Sequence, residues 1–219
     1  MSEPRILAVD TALGACSAAL VEGDRVLSRR HVAIERGHAE ILAPMVEEVM
    51  REASCPFSRL DRLAVTTGPG TFTGQRVGLS FMRGLRVALD KPLLGVTSLA
   101  AMAEQARCEA KAECAAAVHD ARRGEIYLEA VGHTIPVQLV AFETALSLLE
   151  GIANLVVAGT AAPRLVEALK HRGHAVRLSP VTAPDAVWVA RLSQCLEANE
   201  TVPRPLYLRA PDAKLPLQR

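Results

Sequence analysis

The sequence predicts an α/β fold in two lobes, each built in the order β-β-β-α-β-α-β-α, with the second lobe reduced. Three observations carry this expectation. Short runs rich in Val, Ala and Leu alternate with segments of helical periodicity. That alternation passes through the same order twice along the chain. Half of the 219 residues are apolar but only 3% are aromatic, so the core must be Ala, Val and Leu, which suits helices stacked on strands. The length accommodates two lobes of roughly 100 residues each, predicted as 1–106 and 107–219.

The elements follow in order. Residues 6–9 are a short apolar strand ending in Asp10-Thr11, and residues 16–21 are a second. The turn Glu22-Gly23-Asp24 joins it to a third strand at 26–31, a hairpin signal. Within 37–53, Leu42, Met45, Val46, Val49, Met50 and Ala53 recur at helical spacing, and Pro44 stands near the first turn, where its missing N–H does least harm. Residues 60–65 are a strand. A glycine-rich turn then leads into a helix from about Thr73 to Leu89, and residues 92–96 are the next strand. Thr97-Ser98 caps a helix reaching about Arg107.

The second half repeats the order with strands at 114–119, 125–131 and 136–140 and a helix at 142–150. A strand at 154–158, a helix at 160–171 ended by Gly173, a strand at 175–178 and a final helix at about 184–199 complete it. Two such copies, each closing with a helix, are the plan of the actin/sugar-kinase/Hsp70 ATPase folds, although spacing alone permits other α/β arrangements.

Composition narrows the function. A net charge of +1 argues against a chain that grips nucleic acid by electrostatics alone. The local exception is the stretch 201–219, where Arg204, Arg209, Lys214 and Arg219 face the single acid Asp212, and a solvated tail is expected there. Five cysteines without a C-x-x-C pair read as small core residues of a reduced, cytoplasmic protein. No apolar run is long enough for a membrane span and no signal peptide is apparent.

The stretch TTGPGTFTGQRVGL at 66–79 poses the main chemical question. A Walker-type P-loop needs G-x-x-x-x-G-K-[ST], and here Gly74 is followed by Gln75-Arg76, so that reading fails. Two readings stay open. Gly68, Gly70 and Gly74 could bring backbone N–H groups to an anion at a helix N-terminus. Alternatively Pro69-Gly70 is a type II turn, Thr73 an N-cap, and Gly74 and Gly78 let the helix press closely on a neighbour.

Asp10 and Thr11 likewise either hold a metal-bound phosphate or close a strand as a buried acid. Ala12, where glycine would aim amides inward, weakens the phosphate option. No two of the six histidines stand four apart on a helix, so a metal site is not expected. His119 to Tyr127 (HDARRGEIY) reads as a charged hairpin turn whose two arginines could clamp a phosphate.

Several stretches together resemble one family. ILAVDTALGACSAAL (6–20), GHAEILAPMVEEVM (37–50), GPGTFTGQRVGLSFMRGL (68–85), GVTSLAAMA (95–103), HDARRGEIY (119–127) and PLYLRAPDA (205–213) are similar to the TsaB, or YeaZ-type, family. That family serves the bacterial machinery that makes threonylcarbamoyladenosine at position 37 of tRNA. The resemblance implies a two-lobe actin/Hsp70-like (ASKHA) fold and a non-catalytic subunit. Its implied partners are TsaD, in a heterodimer, TsaE, and a second copy of itself when alone, with tRNA met only through the complex. It implies no cofactor of its own, with ATP in the assembled complex. The catalytic relative TsaD carries an H-x-x-x-H metal motif, and alignment puts Ser98 and Met102 at those positions.

In such proteins the helix at 37–53 and the helix after the glycine turn pack on the partner. The resemblance thereby assigns an interface to Leu42, Met45, Val46, Val49, Met50, Gly74, Gly78, Phe81 and Met82, with Ile41, Ala43 and Gly84 beside them. Asp10, Thr11, Gly68 and Gly70 are the candidate nucleotide site. The competing expectation is an autonomous enzyme of the same fold, either a nucleotide phosphotransferase or an M22-like peptidase, built on Asp10 and the turn.

Overall fold

The computed structural model describes residues 3–197 and 201–209. The first three strands are β1 (Arg5–Asp10), β2 (Ala15–Glu22) and β3 (Arg25–Ala33), followed by α1 (His38–Glu52). Next come β4 (Arg62–Thr66), α2 (Phe72–Leu89), β5 (Leu93–Val96) and α3 (Ser98–Glu109). The second half holds β6 (Cys114–Asp120), β7 (Glu125–Val131), β8 (Ile135–Ala141) and α4 (Phe142–Leu149). It ends with β9 (Leu155–Ala158), α5 (Ala162–His171), β10 (Val176–Leu178) and α6 (Ala186–Gln194).

Two five-stranded sheets result, ordered β3-β2-β1-β4-β5 and β8-β7-β6-β9-β10. In each, an antiparallel three-strand meander joins two parallel strands through its first member: β1 pairs with β4, and β6 with β9. The duplication predicted from element order is therefore present strand for strand. The reduction of the second lobe lies in its helices. Helices α4 and α5 have 8 and 10 residues, against 15 and 18 for their counterparts α1 and α2.

Alternation along the strands fixes the layers. Leu7, Val9, Leu63 and Val65 point to one face of the first sheet, where Leu42, Val46 and Val49 of α1 and Leu79 and Met82 of α2 cover them. Ile6, Ala8, Ala19 and Ala64 point to the other face. There they meet Ala186, Val187, Val189 and Ala190 of α6. The boundary at residue 106 thus needs correction at both ends: α6 returns to the first sheet, while α3 packs Leu99, Met102, Ala103 and Ala106 mainly on the second sheet. An uncovered face of Ile6, Ala8 and Val21 would be costly in water, and the small alanines on both sides let α6 lie close.

Other differences are local. Strand β4 begins at Arg62 because residues 57–59 take a short 3-10 turn before it. The cap of α2 is Thr71 rather than Thr73: its Oγ accepts the Gly74 N–H at 3.0 Å. Helix α6 ends at Gln194, earlier than expected, and residues 198–199 lie outside the described residues. Among the described residues no helix is long and apolar enough to cross a membrane.

The segment 201–209 is docked rather than freely solvated. Leu206 N–H donates to Thr67 O at 2.8 Å, and Pro203 lies against Gly95 of β5. Arg209 reaches the second lobe, donating to Ala121 O at 2.6 Å and pairing with Glu125. Lys214, Arg219 and Asp212 lie outside the described residues.

Candidate functional site

The end of β1, the start of α2 and the sheet-facing sides of α1 and α2 hold the residues that the sequence singled out. Asp10 closes β1 and is fully buried. Its Oδ1 accepts the Thr66 hydroxyl at 2.6 Å and the Ala12 N–H at 3.1 Å, while Oδ2 is enclosed with no partner among the described residues. Burial pushes the carboxyl up to about 7, opposed by the hydrogen bond from Thr66, with nearby Asp185 adding to the rise.

Thr11 points to the opposite side of the sheet. Its hydroxyl donates to Gly74 O at 2.6 Å and accepts the Gly78 N–H at 3.0 Å. A methyl group on Gly74 would lie 2.2 Å from Thr11 O, and one on Gly78 would lie 2.7 Å from Thr11 Oγ. These two glycines therefore exist for the close approach of α2 to the end of β1.

The glycine turn is closed on the chain itself. Thr71 N–H donates to Ala12 O at 2.9 Å, Gly74 and Gln75 donate to Thr71, and Gln75 Nε2 donates to Gly70 O at 3.0 Å. A methyl on Gly70 would stand 2.2 Å from Ala12 O. Positive φ falls at Gly68 (+106°) and not at Gly70, so the expected type II turn is not formed. Asp10, Thr11, Gly68 and Gly70 do meet, as a packed junction in which the Thr71, Gly74 and Gln75 amides are spent on the chain's own oxygens.

The same junction is repeated in the second lobe. Ala161 N–H donates to Val118 O at 3.3 Å, as Thr71 does to Ala12, and a methyl on Gly159 would be 2.0 Å from Val118 O. Beside it, Thr160 accepts Asp120 N–H at 3.1 Å and contacts His119 Nδ1 at 3.0 Å. Burial lowers the His119 pKa. Arg122, Arg123 and Gly124 form a left-handed turn, and Arg164 lies over the Phe142 ring, 4.0 Å from its centre.

The interface residues need correction. Leu42, Val46, Val49 and Met82 are wholly or almost wholly buried, as are Met45 and Met50, and all six belong to the first lobe's own core. Gly74 and Gly78 are spent on Thr11. Of the nine only Phe81 is partly open. Six of the periodic residues that marked the helices were their core stripe, not a second face. What α1 and α2 turn outward is different: Ala43, Pro44 and Glu47 from α1, and Ser80, Gly84 and Val87 from α2. Nothing lies within 4 Å of where a methyl on Gly84 would sit.

Ser98 and Met102, the positions aligned with a metal-binding pair, are buried. Ser98 donates its hydroxyl to Pro69 O at 2.5 Å, and Met102 belongs to the core between α3 and the second sheet. Among the described residues, no group of three or more His, Cys, Asp or Glu is placed to hold a metal. Sequence reasoning missed Gln75, a buried amide that braces the turn, and the stacked pair Phe72–Tyr207. Thr71 and Thr73 are both residues that favour an N-cap, so residue type alone did not choose between them.

The family model described as TsaD: tRNA N6-adenosine threonylcarbamoyltransferase matches residues 32–148. TsaB of Escherichia coli, a tRNA threonylcarbamoyladenosine biosynthesis protein, is 37% identical over 123 residues, which is 56% of this chain and 53% of that protein. The match thus spans about half the length of that curated relative. A solved structure, YeaZ from Pseudomonas aeruginosa, is 31% identical with a TM-score of 0.78, covering 94% of this chain and all of the other. The ROK hexokinase of Thermus thermophilus, at 15% identity and a TM-score of 0.55, covers 86% of this chain and 97% of its own and shares the two-lobe actin-like fold alone. On full-length structural agreement and sequence identity with YeaZ, this chain belongs to the TsaB/YeaZ family.

Proposed function

We propose that the chain is a non-catalytic scaffold and activating subunit that pairs with TsaD and helps recruit TsaE for threonylcarbamoyl transfer to adenosine 37 of tRNA. It acts in the cytoplasm, needs no cofactor of its own, and works with ATP in the assembled complex. Alone, it pairs with a second copy through the same helices, since related lobes offer related surfaces. Support for the pathway comes from the name of the E. coli relative and from the TsaD family model matching 32–148.

The observation that carries the subunit reading is Gly84. Mid-helix glycine costs roughly 1 kcal/mol relative to alanine. Gly74 and Gly78 offset that cost through Thr11, whereas Gly84 is exposed and has open space where a side chain would sit. A neighbour approaching α2 from outside, between Ser80 and Val87 and against Ala43 of α1, gives that glycine its reason. The test is co-purification with TsaD and TsaE, then reconstitution of tRNA modification with and without this chain. Full modification in its absence would end the reading.

A second reading, an autonomous nucleotide phosphotransferase or peptidase, draws on the raised Asp10 carboxyl. ATP or peptide hydrolysis by the purified chain, abolished in Asp10→Ala, would favour it.

A further inference from the structure

We propose that the flank of α2 turned toward the segment 201–209 binds single-stranded RNA. This surface adjoins the outward face of α1 and α2, with Val87 at their common edge. The choice of RNA over other polyanions rests on the functional reading above, while the surface itself does not.

Four arginines line the flank. Arg76, Arg83 and Arg86 follow one side of α2, with Arg76 and Arg83 about 10 Å apart along the axis. Arg204 joins them from the docked segment, around a recess of about 660 Å³ also lined by Val87, Thr201 and Val202. Among the described residues, none of the four forms an ion pair with a carboxylate. Two of them, Arg83 and Arg86, are half-buried, whereas the half-buried Arg5, Arg30, Arg107 and Arg209 each pair with a carboxylate. Guanidinium groups held this way suit phosphate oxygens, through planar paired N–H donors.

The second, independent observation is a stacking platform at the start of the same flank. Phe72 and Tyr207 stack with ring centres 5.7 Å apart, and the Arg76 guanidinium lies 3.6 Å from the Phe72 centre. Arg76 Nε also donates to the Tyr207 hydroxyl at 2.9 Å, which holds the group together. Yet Phe72 remains 58% and Tyr207 46% exposed, in a chain with only seven aromatic residues. Large rings left in water beside cations are what an unstacked base requires. The docked segment matters because it supplies Tyr207 and Arg204, and Arg83 anchors it at Pro203 O.

Four phosphate contacts predict weak binding, with a dissociation constant on the order of 10⁻⁵ M at low salt, and a log–log salt slope near −3 for a single strand. The test is fluorescence anisotropy of a labelled 12-nucleotide RNA with the full chain at 30–200 mM salt. Arg86→Glu with Arg204→Glu is expected to abolish binding, since neither residue makes a hydrogen bond given up by the change. Phe72→Ala should weaken binding on the order of tenfold while leaving the salt slope intact. Arg25→Glu, an exposed charge change on β3, serves as the control. Equal binding by the double charge variant, absence of salt-dependent binding by the parent, or tighter binding to DNA of the same sequence would overturn the proposal. So would a double charge variant that loses TsaD or TsaE while the parent shows no affinity for RNA, because the flank would then be a protein contact. A variant of the α1–α2 face that loses TsaD but keeps RNA separates this proposal from the subunit reading.

Discussion

The hydroxyl of Thr11 accepts the N–H of Gly78 at 3.0 Å, so the end of the first strand is bonded to the interior of α2, not to its first turn. Thr11 also donates to Gly74 O, which leaves the helix pinned over one full turn. The orientation of α2, and with it the direction in which Gly84 and the arginine flank face, depends on this side chain.

Gly78→Ala places a methyl 2.7 Å from Thr11 Oγ and is expected to destabilise the fold by about 1–3 kcal/mol. Gly84→Ala has open space and should stabilise it by about 0.5–1 kcal/mol. Urea midpoints of the two variants check the contrast. Equal effects at both positions would contradict the division of glycines into inward and outward.

Thr11→Val keeps the shape and removes the hydroxyl. The buried Gly78 N–H loses the Thr11 hydroxyl as acceptor and Gly74 O loses a donor, at a cost of about 1–3 kcal/mol. Thr11→Ser should recover most of that loss in the same denaturation measurement.

Asp10 gives a pH dependence of definite sign. Its folded value, about 7, lies above the ordinary carboxylate value near 4. Between the two, the folded chain keeps a proton that the unfolded chain has released, so this group makes stability fall as pH rises from about 4 to about 7 and level off above. Asp10→Asn removes the dependence. Comparing parent and variant cancels the groups they share, and the parent should lose on the order of 2 kcal/mol relative to the variant between pH 5 and pH 8. Parallel stability curves for the two proteins would contradict an ionisable, desolvated Asp10.

Helix α6 covers the first sheet although it lies at the far end of the chain. The fragment 1–106 is therefore expected to fail to fold alone, and co-expression with 107–219 to restore it. Trp188, the only tryptophan, sits on α6 against that sheet. Its fluorescence should change together with far-UV circular dichroism during urea unfolding. A cooperative, monomeric 1–106 fragment would overturn the crossover.

The strands were legible because alternation and turn residues announce them, and Glu22-Gly23-Asp24 marked the first hairpin correctly. The paired lobes were legible from order alone. The site was legible only as a cluster of names. Periodicity shows that Leu42, Val46 and Val49 share a face of α1, but it does not say whether sheet or partner covers that face. Here the sheet does. The glycines posed the same ambiguity: spacing cannot tell an amide offered to an anion from one spent on Ala12 O or Thr11 Oγ. The placement of α6, and the docking of Tyr207 on Phe72, depend on contacts more than 100 residues apart, which no local pattern carries.

The measurement that bears most directly on the account is association with TsaD for a variant carrying Ala43→Glu and Gly84→Glu, followed by analytical ultracentrifugation. The parent is expected to form a one-to-one complex, and the variant to sediment as a free chain with an unchanged circular dichroism spectrum and a melting temperature no lower than the parent's. A variant that binds TsaD as tightly as the parent would contradict the assignment of the outward face of α1 and α2 to the partner.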